Sequence, residues 1–205
     1  MSKNSETVNA NGYNAVAGEW DEVRSSRVVD HCIEEFCALL PEHAHILDVG
    51  CGTGKPIARY CCDRGFQVTG IDISENMLEI AGKNVPEASL YHVGLLDFQT
   101  EEQFDGVIGF DSVFHIEHEK QRLIYPKVNS LLRKGGVFIF TAGLTDEFVV
   151  DEMFGHEFYY AGLNKTDLRK ILAENGFEIL RFEEHYEHPT TGNRDLLAVV
   201  RKISY

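Results

Sequence analysis

Residues 46–56 read ILDVGCGTGKP. A short apolar run carries the acid Asp48, and glycines at 50, 52 and 54 then alternate with Cys51 and Thr53. A bend this bare lets a ligand approach the main chain closely, because glycine accepts left-handed backbone and adds no Cβ. Three kinds of ligand are held by loops of this look. A phosphate loop of the form GxxxxGK[ST] needs glycine where Val49 stands and a hydroxyl where Pro56 stands, so that reading fails at two places. A dinucleotide loop, GxGxxG, needs its third glycine at Lys55. Asp72, which closes the next apolar run, suits ribose hydroxyls whichever nucleoside is bound, so it does not decide between the remaining readings.

Other chemistry-bearing residues give weaker signals. Five cysteines (32, 37, 51, 61 and 62) form no CxxC, and adjacent Cys61 and Cys62 do not easily bridge, so reduced thiols and a cytoplasmic location are expected. The histidine pairs His115/His118 and His185/His188 match no standard metal motif, and no metal site is expected.

These residues sit in an alternating pattern of elements. Residues 1–12 read as a loose tail, and 13–40 as an N-terminal lid with a helix from Arg24 to Leu40 closed by Pro41. Strands are expected at 45–49, 67–71, 89–93, 106–110 and at VFIF (137–140). Helices are expected at 55–64, from Ser74 to Lys83, and from 117 to 132, the last kinked by Pro126 and stopped by Gly135-Gly136. A helix over 164–175 is capped by Asn164, and a hairpin over 177–203 turns at PTTGNRD. This predicts one α/β domain over 1–205, Rossmann-like and doubly wound. It has a mostly parallel seven-stranded sheet, helices on both faces and a C-terminal antiparallel hairpin. Ligands bind such sheets at the carboxyl ends of the strands, where the glycine bend, Asp72, Gly94 and residues 110–115 would gather.

The stretch DVGCGTG (48–54) resembles motif I of the class I S-adenosylmethionine-dependent methyltransferases. The likeness continues through GIDIS with Met77, FDGVIGFDSVFHI, LLRKGGVFIF and AENGFEI, and spans roughly residues 13–203. It implies S-adenosylmethionine as cofactor, S-adenosylhomocysteine as product, and in-line methyl transfer to a small molecule. It also implies a cofactor cradle of Tyr13, Asp48, Gly50, Cys51, Gly52, Thr53, Gly54, Asp72, Ile73, Met77, Gly94, Leu95, Leu96 and Phe110. Asp48 would face the ammonium end, Asp72 would take both ribose hydroxyls, and Ile73 and Met77 would sandwich the adenine. The chain departs from a common family form in which an acid directly follows the glycine equivalent to Gly94. Leu95 cannot accept the adenine amino group there, which leaves Asp97 or a backbone carbonyl.

For catalysis the resemblance puts His115 forward as a base and Tyr13 as a second candidate over the methyl group. Trp20 is expected to pack the lid. The connection 143–163 is long and aromatic, a substrate-side insertion in which His156, Tyr159 and Tyr160, with Phe114, suit a small acceptor. The net charge of −14 disfavours nucleic acid and anionic membranes, and no apolar run approaches a bilayer span. A monomer or homodimer is expected. A noncatalytic S-adenosylmethionine-binding sensor is the alternative, separated from an enzyme by whether an acceptor panel yields methylated product.

Overall fold

The structure, a computed structural model, describes residues 5–25, 28–188 and 192–203. In chain order its elements are α1 (Ser5–Ser25), α2 (His31–Ala38), β1 (His45–Val49), α3 (Ile57–Asp63), β2 (Gln67–Asp72), α4 (Glu75–Asn84), β3 (Ser89–His92) and β4 (Phe104–Gly109). Then follow α5 (Ile124–Leu131), β5 (Leu132–Ala142), β6 (Phe148–Met153), β7 (His156–Ala161), α6 (Lys165–Glu174), β8 (Phe177–His188) and β9 (Gly192–Lys202).

Seven strands form one sheet in the order β3-β2-β1-β4-β5-β9-β8. The first five run parallel, and β9 inserts antiparallel between β5 and β8. Chain order reverses beside β1, which has β2 on one side and β4 on the other, so the loop after β1 opens at the switch point. The central strands are apolar on both faces because both are covered. Leu47, Val107 and Phe138 face α5 and α6, while Ile46, Ile108 and Ile139 face α2 and α3. A third apolar cluster joins Val16 and Ala17 of α1 to Met77 and Phe158 and roofs the strand ends.

Five local expectations change. The tail is helical from Ser5, and Asn9 is fully buried rather than solvated. Its amide donates to the carbonyls of His115 (3.1 Å) and Tyr159 (3.2 Å), and its oxygen accepts the Tyr159 N–H at 2.8 Å. A hydrogen-bonded side chain of this kind anchors a helix whose own apolar face is narrow. The expected helix from Arg24 to Leu40 is two helices. Asp30 accepts the Cys32 N–H at 3.1 Å and starts α2 afresh.

Pro126 produces no kink, because α5 begins at Ile124 and places the proline in its first turn, where no N–H is needed. A separate 3-10 helix (His118–Leu123) precedes it. Gly135-Gly136 does not stop the helix, which already ends at Leu131; the pair lies inside β5, where its register with β4 slips. Finally, most of the 143–163 connection is not loop. β6 and β7 pair antiparallel as a separate two-stranded sheet. The first residues of the predicted PTTGNRD turn lie outside the described residues. Among the described residues no helix is long and apolar enough to cross a membrane.

Candidate active site

A cavity of about 370 Å³ opens at the carboxyl ends of β1, β2 and β4, beneath α1. Its floor is the glycine bend. Gly50 and Gly52 have φ of 70° and 56°, conformations that L side chains rarely adopt. A Cβ on Gly50 would also stand 2.4 Å from that of Ser112, so the position has neither the angle nor the room for another residue. Gly52, by contrast, faces open space, with Trp20 Nε1 at 3.8 Å from its would-be Cβ.

Two carboxylates are buried in this wall, Asp48 and Asp72. Asp72 Oδ2 accepts the Gly52 N–H and Oδ1 the Ser74 N–H, both at 2.8 Å, so one acid shapes the bend and starts α4. Each of its oxygens keeps further acceptor capacity toward the cavity. Burial, and then the Asp72 charge, push the Asp48 carboxyl up to about 7. Burial likewise raises Asp72, against the opposing backbone N–H groups of Ser74 and Gly52. Two buried acids disfavoured as anions are a place where a cationic ligand gains most.

Across the cavity stand Tyr13 and His115. His115 Nδ1 lies 2.7 Å from the Tyr159 carbonyl, which can only accept, so Nδ1 carries the proton. Nε2 is therefore the acceptor, and the Tyr13 hydroxyl donates to it at 2.7 Å. Burial pulls the imidazole down to about 4, against the Tyr159 hydrogen bond, and burial also raises the Tyr13 phenol. At neutral pH the pair is a phenol donating to a neutral imidazole. α1 is held over it by Asn14, whose Oδ1 accepts the Ser74 hydroxyl at 2.7 Å and the Asn76 N–H at 3.1 Å.

Most residues predicted for the cofactor reach this wall: Tyr13, Asp48, Gly50, Cys51, Gly52, Asp72, Ile73, Met77, Gly94, Leu95, Leu96 and Phe110. Thr53 and Gly54 do not. Thr53 is fully buried, and a Cβ on Gly54 would meet Val85 at 2.7 Å, so both serve the packing of the bend against the end of α4. Burial holds the Cys51 thiol far above its ordinary range, so it is a small filler and not a nucleophile.

The predicted acceptor residues divide. Phe114 and Tyr160 line a second cavity of about 380 Å³ beneath the β6–β7 hairpin, and both rings pack within 5 Å of His115's ring. Tyr159 instead stacks on Phe148, and its hydroxyl accepts the His118 N–H at 3.0 Å, so it braces the hairpin. His156 is exposed on the hairpin and lines neither cavity.

Sequence reasoning assigned no role to Asp111, Arg194, Arg24 or Glu6. Asp111 lines both cavities and takes a left-handed φ of 55°, uncommon for a residue with a side chain. Arg194 holds it with two parallel bonds, Nε to Oδ1 at 2.7 Å and Nη2 to Oδ2 at 2.5 Å, and covers the Phe110 ring. Arg24 lies 3.9 Å from the same carboxylate and over Trp20, which ties the end of α1 to the tip of β4. Glu6 comes from the first turn of α1, and its Oε1 would stand 3.3 Å from a Cβ on Gly94. The signal for Asp111 was present in FDSVFH, where an acid stands at a strand's carboxyl end; the others had no local signal.

Comparison with known proteins agrees with this geometry. A family described as "Methyltransferase domain" matches residues 46–136. A putative methyltransferase, YqeM, of Bacillus subtilis is 31% identical over 69% of this chain and 59% of its own length. An O-methyltransferase of Pyrenophora dematioidea is 28% identical over 70% of this chain and 58% of its own. The chain thus spans somewhat under three fifths of the length of these two relatives. Among solved structures, magnesium protoporphyrin IX methyltransferase from Synechocystis PCC 6803 superposes with a TM-score of 0.74. It is 19% identical and covers 98% of this chain and 99% of its own. The glycine bend and the two buried acids thus stand in the segment that matches the methyltransferase-domain family, and the sheet around them has the fold of the class I S-adenosylmethionine-dependent methyltransferases, which this chain resembles.

Proposed function

We propose that this protein transfers a methyl group from S-adenosylmethionine to a small-molecule acceptor. One observation carries the reading: a single cavity brings together the glycine bend, two buried carboxylates and the Tyr13–His115 pair. When bound, the cofactor supplies a methyl on a sulfonium, already activated for displacement. The chain's residues fit it. Asp48 offers a carboxylate to the ammonium group, Asp72 offers acceptors to the ribose hydroxyls, and Ile73 and Met77 offer apolar faces to the base. Glu6 supplies the acid that Leu95 lacks, as acceptor for the adenine amino group.

The second cavity is the acceptor's side. Phe114 and Tyr160 give it flat apolar walls, and Asn193 and Arg194 give it polar ones. Tyr13 lines the first cavity, and we assign it to meet an acceptor that reaches in from the second, since its oxygen can accept a hydrogen bond while its own O–H donates to His115 Nε2. An imidazole at about 4 is too weak to remove a proton in advance. His115 therefore positions Tyr13, and takes a proton only as charge develops on the acceptor. The main contribution to rate is alignment of the two reactants in a dry site, roughly 7–11 kcal/mol in favourable cases.

The test is calorimetric and chemical. S-adenosylhomocysteine should bind and NAD should not, and S-adenosylmethionine with a panel of hydroxyl- and amine-bearing metabolites should yield methylated product. Binding of NAD in preference would overturn the cofactor assignment. Tight cofactor binding without product from any acceptor would point to the sensor reading instead.

A further inference from the structure

We propose that Asp30, His31 and His188 form a binding site for a divalent transition metal of the zinc, nickel and cobalt class, outside both cavities. Asp30 and His31 stand at the start of α2, and His188 at the end of β8. The three side chains bring one donor atom each within 4.8 Å of one another. His31 Nδ1 lies 3.4 Å from Asp30 Oδ1, and His188 Nδ1 lies 3.8 Å from Asp30 Oδ2. With metal–ligand bonds of about 2.0–2.1 Å, a tetrahedral centre sets its donors roughly 3.3 Å apart. Each imidazole faces a different oxygen of Asp30, at a separation within about half an ångström of that spacing. To share one metal ion the two imidazoles must draw closer and the carboxylate must turn one oxygen toward both. Their rings are nearly parallel, 5.8 Å apart and 23° from coplanar, beside the same acid.

The surroundings are those a ligating carboxylate needs. Asp30 is buried, and its Oδ1 accepts the Cys32 N–H and the Tyr186 hydroxyl, which fix the plane of the carboxyl. Arg181, over the Tyr186 ring, is balanced by Glu35 and Glu183. Two imidazoles and one carboxylate select first-row transition metals over magnesium and calcium, which want a shell of oxygens. Three protein donors leave a fourth position for water. Nothing in the chain's spacing announces this group, because HisxxxHis and CxxC patterns are absent and the third donor comes from the opposite end of the sequence.

The experiment uses the full, untagged chain stripped with a chelator and then titrated with Co(II) and with Zn(II). One equivalent of Co(II) should bind, with visible d–d bands of a four- or five-coordinate centre, and Zn(II) should displace it and raise the thermal midpoint. His188→Ala and His31→Ala should each weaken binding by more than about tenfold and abolish the midpoint shift. Both residues are at element ends, so each variant should melt in chelator as the parent does; Asp30 is left intact because it also caps α2. Absence of uptake, or uptake that survives in the His31→Ala/His188→Ala double variant, overturns the site and leaves two histidines paired to a carboxylate. Neither result touches the methyltransferase reading, which is measured by cofactor binding in the presence of chelator.

Discussion

The half of the cavity built by β1, β2 and the loops after them is acidic and rests on the backbone. The half built by α1 and the tip of β4 is aromatic and rests on side chains. In the first, Asp72 reaches Gly52 twenty positions away, and the bend closes on the Ile71 carbonyl through Gly50 and Cys51. In the second, Tyr13 meets His115 across 102 positions and Asn9 meets Tyr159 across 150. A half made from neighbouring residues keeps its shape through local geometry. A half made from distant ones depends on a few polar side chains that must all be satisfied. The contrast says that single substitutions should damage the two halves differently: affinity and its pH dependence in one, stability and turnover in the other.

The largest effect should come from Asn9→Ala. It would strand the Tyr159 N–H and remove a donor from two buried carbonyls, at about 1–3 kcal/mol for each buried group left unpaired. A loss of about 3 kcal/mol in urea unfolding is expected, with α1 released from the hairpin. If the loss is under about 1 kcal/mol, the aromatic half is not held from α1 and the comparison fails at its first step.

Next is Tyr13→Phe. Removing the hydroxyl leaves the ring in its cluster with Trp20 and Phe158 but takes away the group facing the acceptor. Turnover should fall about 100-fold while the dissociation constant of S-adenosylhomocysteine moves less than about threefold. Equal losses in both would make Tyr13 part of the cofactor cradle and move the boundary between the halves.

On the acidic side, the expected signature is a pH dependence of affinity. Unliganded Asp48 titrates at about 7 because burial and Asp72 disfavour its anion. A cationic group placed beside it favours the anion, so below pH 7 a proton must leave before the ligand binds well. Affinity for S-adenosylhomocysteine should therefore fall on acidification, by roughly tenfold between about pH 7 and 5.5, and level off above. Asp48→Asn should flatten that slope. A slope that survives in Asp48→Asn would place the titrating group elsewhere.

The same contrast explains what could be read from the chain. The sheet, its switch point and the acidic half follow from contiguous signals: alternating apolar runs, glycines at 50, 52 and 54, and an acid ending the second strand. The helix over 5–25 escaped because its apolar positions are sparse and it is fixed by polar anchors at Asn9 and Asn14, whose partners lie far along the sequence. Residues 143–163 looked like a loop because β6 carries exposed Phe148, Val149 and Val150, giving a run without the strict alternation of a half-buried strand. His115 was legible as a candidate, but not the Tyr13 hydroxyl on its Nε2, because that bond exists only once α1 is folded over the strand ends.

Glu6 is where the two halves meet and where the smallest effect is expected. It belongs to α1 yet borders Gly94, in the loop where Leu95, 3% exposed and apolar, offers no acceptor. If its carboxylate accepts the adenine amino group, Glu6→Ala should weaken S-adenosylhomocysteine about fivefold, the size of one modest hydrogen bond of roughly 1 kcal/mol. The inosine analogue, which carries a carbonyl at that position and cannot donate from it, should bind the parent more weakly and the variant no worse. The two ligands should thus converge in affinity on Glu6→Ala. Convergence on Asp97→Ala, with Glu6→Ala unchanged, would return the adenine contact to the loop after β3. It would leave α1 as a roof over the reacting groups alone.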